Sequence, residues 1–216
     1  MNTRTRHILF DMDGTLADSL PVMRDIYRQF LESHGAQGSE AEFQHMNGFA
    51  LPQIVAHLKQ AHALVPPPDA LHHGYCGMMD QRLHLGVPLM PGARELLALL
   101  HGQGHTLRLV TSAGRAQAEA FLESNAIRSY FDAVISGQDV PRSKPDPDIY
   151  LLASADLEKD RTVAVEDSIN GVLSARGAGL RVVALAEPGT LQSLKNAGAD
   201  AVISRLLELP AHLREP

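Results

Sequence analysis

The chain has 216 residues, enough for one ordinary α/β domain or for one domain carrying a smaller insertion, and too few for two full-sized domains. Hydrophobic residues make up 44% and charged residues 20%, which supplies a sizeable core and excludes an intrinsically disordered chain. Lys and Arg total 19 against 25 Asp and Glu, a formal charge of −6 with no basic block, so neither nucleic acid nor an anionic membrane is expected as a partner.

The single cysteine, Cys76, excludes an intrachain disulfide framework and a cysteine-based zinc site, and suits a reducing compartment. Met1 to His7 lead into the apolar run Ile8-Leu9-Phe10, too short for the core of a signal peptide. Leu96 to Leu100, the longest aliphatic run, is far below the roughly 20 residues that cross a bilayer. A cytoplasmic protein with no membrane attachment is expected.

In chain order, short β-rich runs alternate with helical patterns, the signature of an α/β fold with a parallel sheet. Strands are expected at His7 to Phe10, Thr106 to Val110, Ala133 to Ile135, Thr162 to Val165, Arg181 to Leu185 and Ala201 to Ile203. Apolar spacings of three and four predict helices over Ala93 to Gln103, Arg115 to Ser124, Pro147 to Ala155 and Ile169 to Ala178. Residues 17–87 break the rhythm with three amphipathic helical faces and no strand. The first runs from Leu20 to Leu31 and the second from Leu51 to Ala61. Pro66-Pro67-Pro68 stops the second, and Leu71, Tyr75, Met78 and Met79 mark the third. Val87 to Gly92 then returns the chain to the sheet. The expected division is therefore a core of residues 1–16 and 88–216 around a helical insertion of residues 17–87.

Directly after the first strand stands Asp11-Met12-Asp13-Gly14-Thr15, two carboxylates two residues apart followed by a glycine suited to a tight turn. An EF-hand loop would need glycine at its sixth position and glutamate at its twelfth, where Leu16 and Val22 stand. Three more polar groups lie just beyond predicted strands: Thr111-Ser112, Lys144, and Glu166-Asp167-Ser168. Taken singly, each has a structural explanation. Thr111-Ser112 or Asp167-Ser168 would serve as helix caps, and Lys144 as a surface lysine. Together they place a carboxylate pair, a hydroxyl, a cation and a second acidic pair at the ligand-binding edge of one parallel sheet. Asp146 before Pro147 reads as the cap of the following helix. Gly171, Ala175 and Ala178 read as small residues packing a helix on the sheet.

This quartet resembles the four motifs of the haloacid dehalogenase superfamily of phosphotransferases. Asp11-Met12-Asp13-Gly14-Thr15 matches the first, Thr111 the second, Lys144 the third and Glu166-Asp167 the fourth. Ser143 to Tyr150 and Val165 to Gly171 follow the branch whose helical cap is inserted after the first motif. The resemblance implies a Rossmann-like core, Mg2+, and hydrolysis of a small-molecule phosphate ester through an aspartyl phosphate. Asp11 would be the nucleophile and Asp13 the general acid and base. Lys144 would neutralise the transferring phosphoryl group, while Thr111 and Ser112 would bind its oxygens. Asp11, the Asp13 carbonyl, Asp167 and Glu166 would supply metal ligands. A divalent cation is expected on physical grounds, since a carboxylate meets a phosphate with a repulsion of about 4 kcal/mol per unit-charge pair at 4 Å for an effective dielectric near 20.

Single positions separate the relatives. Asp13 disfavours carbon–halogen hydrolysis and phosphonate hydrolysis, whose enzymes lack an acid there. β-Phosphoglucomutases carry a histidine twelve positions after the nucleophile, and Met23 occupies that position. A phosphatase for a sugar phosphate or a phosphoglycolate-like compound is the expectation, with a β-phosphoglucomutase-type phosphotransferase or a non-catalytic Asp-phosphorylated switch as alternatives. A monomer or weak homodimer is expected. Of the eleven histidines, His34, His45, His57, His62, His72, His73 and His84 fall in the insertion with no metal-ligand spacing. Met46-Asn47-Gly48-Phe49 lies between two of its helices, with Asn47 as a candidate substrate contact and no arginine.

Overall fold

A computed structural model describes residues 6–83 and 86–213, so His84 lies outside the described residues. The chain opens with β1 (His7–Phe10) and continues through four helices, α1 (Leu20–Ser33), α2 (Glu40–Met46), α3 (Leu51–Ala61) and α4 (Pro68–Leu83). Regular alternation follows: α5 (Ala93–Gly102), β2 (Thr106–Val110), α6 (Arg115–Ser124), β3 (Ala133–Ile135), α7 (Asp148–Ala153) and β4 (Thr162–Glu166). The last elements are α8 (Ile169–Gly177), β5 (Arg181–Leu185), α9 (Leu191–Asn196), β6 (Ala201–Ile203) and α10 (Leu209–His212).

Among the described residues six strands form one parallel sheet, in the order β3-β2-β1-β4-β5-β6. Such a sheet must bury both faces, and the strands are apolar on both sides accordingly. Ile8, Phe10, Leu109, Val163 and Val165 point to one face, where Leu96, Leu97 and Leu100 of α5 and Phe121 and Leu122 of α6 cover them. Leu9, Ala164, Val182 and Ala184 point to the other, beneath Ile149 and Tyr150 of α7, Val172 and Ala175 of α8 and Leu194 of α9. This is the α/β, Rossmann-like arrangement with a helical insertion after β1.

The insertion has its own core, built by Ile26, Tyr27, Phe30 and Leu31 of α1 against Val55 and Leu58 of α3 and Leu71 and Tyr75 of α4. Among its described residues it contains four helices where three apolar faces are legible. The addition, α2, has only Phe43 and Met46 buried in seven residues, too few to show a period, although Ser39 caps it by accepting from the Glu42 amide at 3.1 Å. Its neighbour α3 ends at Ala61, before the proline run, and Pro68 instead opens α4. The strands leaving and re-entering the sheet layer are tied together. Asp18 donates to the Pro88 carbonyl at 2.9 Å, Met90 donates to the Leu16 carbonyl at 2.8 Å, and Ala17 bridges Leu89.

Two local expectations need correction. The helix expected from Pro147 runs only from Asp148 to Ala153, and Asp146 does not cap it. Arg142 explains the missing cap, because it draws the Asp146 carboxylate to 3.2 Å and that of Asp148 to 2.5 Å. Strand β4 extends one residue further than expected, so Glu166 leaves the sheet as its last residue rather than in the following loop.

Candidate active site

Register brings the site together. Phe10 pairs with Leu109 on one side and Val165 on the other, so the ends of β1, β2 and β4 are level. Asp11, Thr111 and Glu166 therefore emerge at one edge, beside β1, where the direction of strand addition reverses and a crevice opens. The Asp11 amide still donates to the Val165 carbonyl at 2.9 Å, which fixes the backbone where the carboxylate emerges.

The chain then turns sharply. The Met12 carbonyl accepts from the amides of Leu16 and Ala17 at 2.9 and 2.8 Å, and Gly14 takes φ +81°. A β-carbon on Gly14 would stand 2.3 Å from Asp167 Oδ2, so this position needs glycine both for its backbone and for the close approach. Asp13 Oδ1 accepts a 2.7 Å hydrogen bond from the Ser19 hydroxyl. Ser19 precedes α1 but makes no side-chain cap there, its oxygen being turned to Asp13 instead.

Lys144 is fully buried rather than at the surface. Its ammonium donates at 2.6 Å to Asp11 Oδ1 and at 2.6 Å to Glu166 Oε1, and at 3.3 Å to the Val110 carbonyl. The Lys144–Pro145 peptide bond is cis. Tyr150, on α7, donates its hydroxyl to the same Glu166 Oε1 at 2.6 Å, while Glu166 Oε2 accepts from the Asp167 amide and the Ser168 hydroxyl at 3.3 Å each. Of the two acidic neighbours, Asp167 faces the insertion: its Oδ2 accepts from Asn47 at 2.8 Å and its Oδ1 from Thr15 at 3.4 Å. Ser168 caps α8, accepting from the Gly171 amide at 2.9 Å.

Electrostatics follow from burial. Desolvation pushes the Asp11 carboxyl well above the usual carboxylate range, against the pull of Lys144 and with the push of Glu166 and Asp167. Asp13 is raised by burial too, against its bond from Ser19. Asp167 is pushed up to about 8 by burial and by the Glu166 charge. Burial alone would lower Lys144, but Asp11 and Glu166 outweigh it and hold the ammonium above its ordinary value. Asp11, Glu166 and Asp167 each present a carboxylate oxygen within 4.8 Å of the others, with one ammonium among them. The excess negative charge and the all-oxygen donor set fit a divalent cation such as Mg2+. The Asp13 carboxylate is outside this group.

Beyond β2, the Thr111 hydroxyl accepts from the Ala113 amide at 3.0 Å, and Gly114, not Thr111 or Ser112, is the cap residue of α6. Ser112 donates to the Gly48 carbonyl at 2.8 Å. Asn170 donates to the carbonyls of His45 and Asn47 at 2.9 and 2.7 Å. The loop after α2 is thus bound to the sheet edge through Asn47, Gly48 and Asn170. Asp11, Asp13, Thr111 and Ser112 border one side of a cavity of about 830 Å³, with the helices of the insertion on the other.

Sequence reasoning brings Asp11, Asp13, Thr111, Ser112, Lys144, Glu166 and Asp167 to one place, and the structure puts them there. Ser19, Tyr150 and Asn170 were given no part. Tyr150 and Asn170 lie within the matching stretches and Ser19 outside them, and nothing in a serine, tyrosine or asparagine there announces its partner. Gly171 has a second duty besides packing, since a β-carbon on it would meet the Glu166 carboxylate at 1.9 Å.

Comparison with known proteins agrees with this geometry. The family model of the haloacid dehalogenase-like hydrolases matches residues 8–185. A phosphoglycolate phosphatase of Cupriavidus necator is 32% identical over 95% of this chain and 92% of its own. A phosphorylated carbohydrates phosphatase of Thermotoga maritima is 31% identical over 80% of this chain and 81% of its own. Among solved structures, CbbY from Rhodobacter sphaeroides in complex with xylulose-(1,5)bisphosphate superimposes with a TM-score of 0.80 at 28% identity, covering 95% of this chain and 96% of that one. With the motif residues gathered at one sheet edge and the match spanning most of the chain, the protein belongs to the haloacid dehalogenase-like hydrolases and is a phosphatase of that family.

Proposed function

We propose that the chain is a magnesium-dependent phosphatase that hydrolyses a small phosphorylated metabolite through a phosphoryl group carried on Asp11. The observation that carries this reading is the buried cluster of Asp11, Lys144, Glu166 and Asp167 beside a cavity that also holds Asp13. Asp11, Asp167 and the Asp13 carbonyl would hold the cation, which supplies charge neutralisation between the carboxylates and the substrate phosphate. Both Glu166 oxygens are already engaged by Lys144, Tyr150, Ser168 and the Asp167 amide, so we assign Glu166 to orienting Lys144 and to the rear of the metal site.

In the first step the Asp11 carboxylate attacks phosphorus, and the bond to the leaving alcohol breaks as Asp13 delivers its proton to that oxygen. In the second, Asp13 takes a proton from water, which attacks the phosphoryl group on Asp11 and releases phosphate. Lys144 balances charge on Asp11 throughout, and Thr111 with the Ser112 amide receives the phosphate oxygens. Residues 17–87 act as a cap over a core of residues 1–16 and 88–216, closing the cavity against water. The names of the relatives support a sugar phosphate or a phosphoglycolate-like compound as the starting class. Met23 on the cavity wall, in place of a histidine, favours hydrolysis over mutase chemistry. Among the described residues no helix is long and apolar enough to cross a membrane; we propose a cytoplasmic enzyme acting as a monomer or weak homodimer.

Phosphate release from acetyl phosphate and a panel of sugar phosphates, with and without Mg2+, tests this. Release that needs Mg2+, is stopped by a chelator and falls at least about a thousandfold in Asp11→Asn is the expected result. Full activity in Asp11→Asn would contradict it.

A further inference from the structure

The cavity beside Asp11 and Asp13 continues far into the insertion, to about 830 Å³ in all. Phosphate and a two-carbon acid would leave most of that space unused, because cavities of this size enclose drug-sized ligands. Its outer wall is apolar. Met23 of α1, Phe49 of the α2–α3 loop, Ile54 of α3 and Met79 of α4 pack one side against the insertion core and are only partly buried, and the same four side chains line the cavity. Apolar surface held open beside a catalytic carboxylate pair gains free energy only when an apolar body covers it.

Charge on the wall points the same way. Asp11, Asp13 and Asp146 face the cavity, and among the described residues Arg142 is its only permanent cation. Arg142 is committed to Asp146 at 3.2 Å and to Asp148 at 2.5 Å. A carboxylate or a second phosphate on the leaving group would therefore meet no uncommitted cation on the described wall, its one guanidinium being already shared. Neutral polar groups fare better. The side-chain carbonyls of Gln53 and Gln138 are used by the amides of Ala50 and Arg115, at 3.0 and 3.1 Å, which leaves their NH2 ends as uncharged donors toward a hydroxyl or ether oxygen.

We infer that the substrate is the phosphate monoester of an uncharged alcohol with an apolar body, such as a ring or branched chain, and that Met23, Phe49, Ile54 and Met79 select it over acidic esters of the phosphoglycolate kind. The inference rests on the phosphatase reading and departs from the sugar phosphates and phosphoglycolate that the names of the relatives suggest.

The test uses the full chain with Mg2+ and compares kcat/KM for cyclohexylmethyl phosphate, glucose 6-phosphate and phosphoglycolate. Acetyl phosphate serves as a reference with almost no body. The first two share size and a primary leaving oxygen and differ in polarity. The expected result is a preference for cyclohexylmethyl phosphate over both others by about tenfold or more, the scale on which a hydrophobic pocket discriminates. Met79→Gln and, independently, Met23→Gln, each confirmed as folded by its thermal transition, should lower that preference by about fivefold or more. Hydrolysis of acetyl phosphate with no preference for the apolar ester, or with phosphoglycolate favoured, overturns the inference and leaves the phosphatase reading standing. An unchanged preference in the folded variants overturns the selection role of the wall. No Mg2+-dependent hydrolysis of acetyl phosphate or any ester overturns both readings.

Discussion

Lys144 holds two carboxylates at 2.6 Å with no solvent exposure, so its loss leaves Asp11 and Glu166 facing one another in a buried site. Breaking a buried pair from one side costs about 3–5 kcal/mol, because the remaining charge is neither solvated nor compensated. Lys144→Met should accordingly lower the melting temperature by roughly 6–20 °C for a chain of this size. It should also reduce phosphate release by about a hundredfold or more in whatever protein remains folded. Calorimetry and the release assay check the two parts separately. Gly171 is the second position where one atom matters. A β-carbon there would stand 1.9 to 2.2 Å from the Glu166 carboxyl atoms, so Gly171→Ala must displace Glu166 and, through it, Lys144. Overpacking of this kind costs about 1–3 kcal/mol, and kcat should fall while the far-ultraviolet circular dichroism spectrum stays native. Unchanged kcat would mean that Glu166 does not orient Lys144.

Helix α2 shows how an element with little hydrophobic surface is held in place. Glu42 accepts from the Tyr27 hydroxyl of α1 at 2.5 Å and lies 3.1 and 2.9 Å from His57 and His62 at α3 and its end. Burial pushes its carboxyl up, but the hydrogen bonds from Tyr27, His62 and His57 together draw it below the usual glutamate range. A depressed folded pKa stabilises the fold above the unfolded value, near 4.3, and that contribution is lost as the pH falls through the lower folded value. Glu42→Gln should therefore lower stability by about 1–2 kcal/mol at about pH 6, and the gap to the parent should close below about pH 4. Thermal melts of both proteins across that range check the sign.

The legibility of the elements has the same physical origin. The parallel strands are read correctly because each is a short apolar run between turn residues, and β1, β2, β3, β5 and β6 have the expected bounds. Burial on both faces leaves no alternative use for Val163-Ala164-Val165 or Arg181 to Leu185. The helix α2 escapes because its position depends on polar bonds from the helices on either side of it, made by side chains 15 to 20 positions away. The cap expected at Asp146 fails for a similar reason, since Arg142 competes for that carboxylate. In the site, residues whose chemistry is distinctive, such as Asp11 and Asp13, can be found from spacing alone. Tyr150, Ser19 and Asn170 act through partners 16, 6 and more than 120 positions away, which no local pattern encodes.

At the scale of the whole molecule, insertion and sheet meet through a small set of polar ties, several of which end at the site. Asn47 reaches Asp167, Ser112 reaches the Gly48 carbonyl, and Asn170 holds the carbonyls of His45 and Asn47. Further out, Arg24 and Gln44 both reach Glu187, at 3.1 and 3.4 Å. The arrangement brings Asn47 to a proposed metal ligand and the Gly48 carbonyl to the proposed phosphate loop, so the insertion contributes polar groups directly to the proposed site. In the proposed mechanism Asp11 carries the phosphoryl group and Asp13 handles the protons. Asp13→Asn cannot activate water, so the intermediate should persist in it. The decisive measurement is mass spectrometry of acid-quenched Asp13→Asn after mixing with acetyl phosphate and Mg2+. The expected result is one phosphoryl group, located on Asp11, present in much higher yield than in the parent and absent from Asp11→Asn. Steady phosphate release with no label on Asp11, or a label that appears and decays at the parent rate in Asp13→Asn, would contradict it.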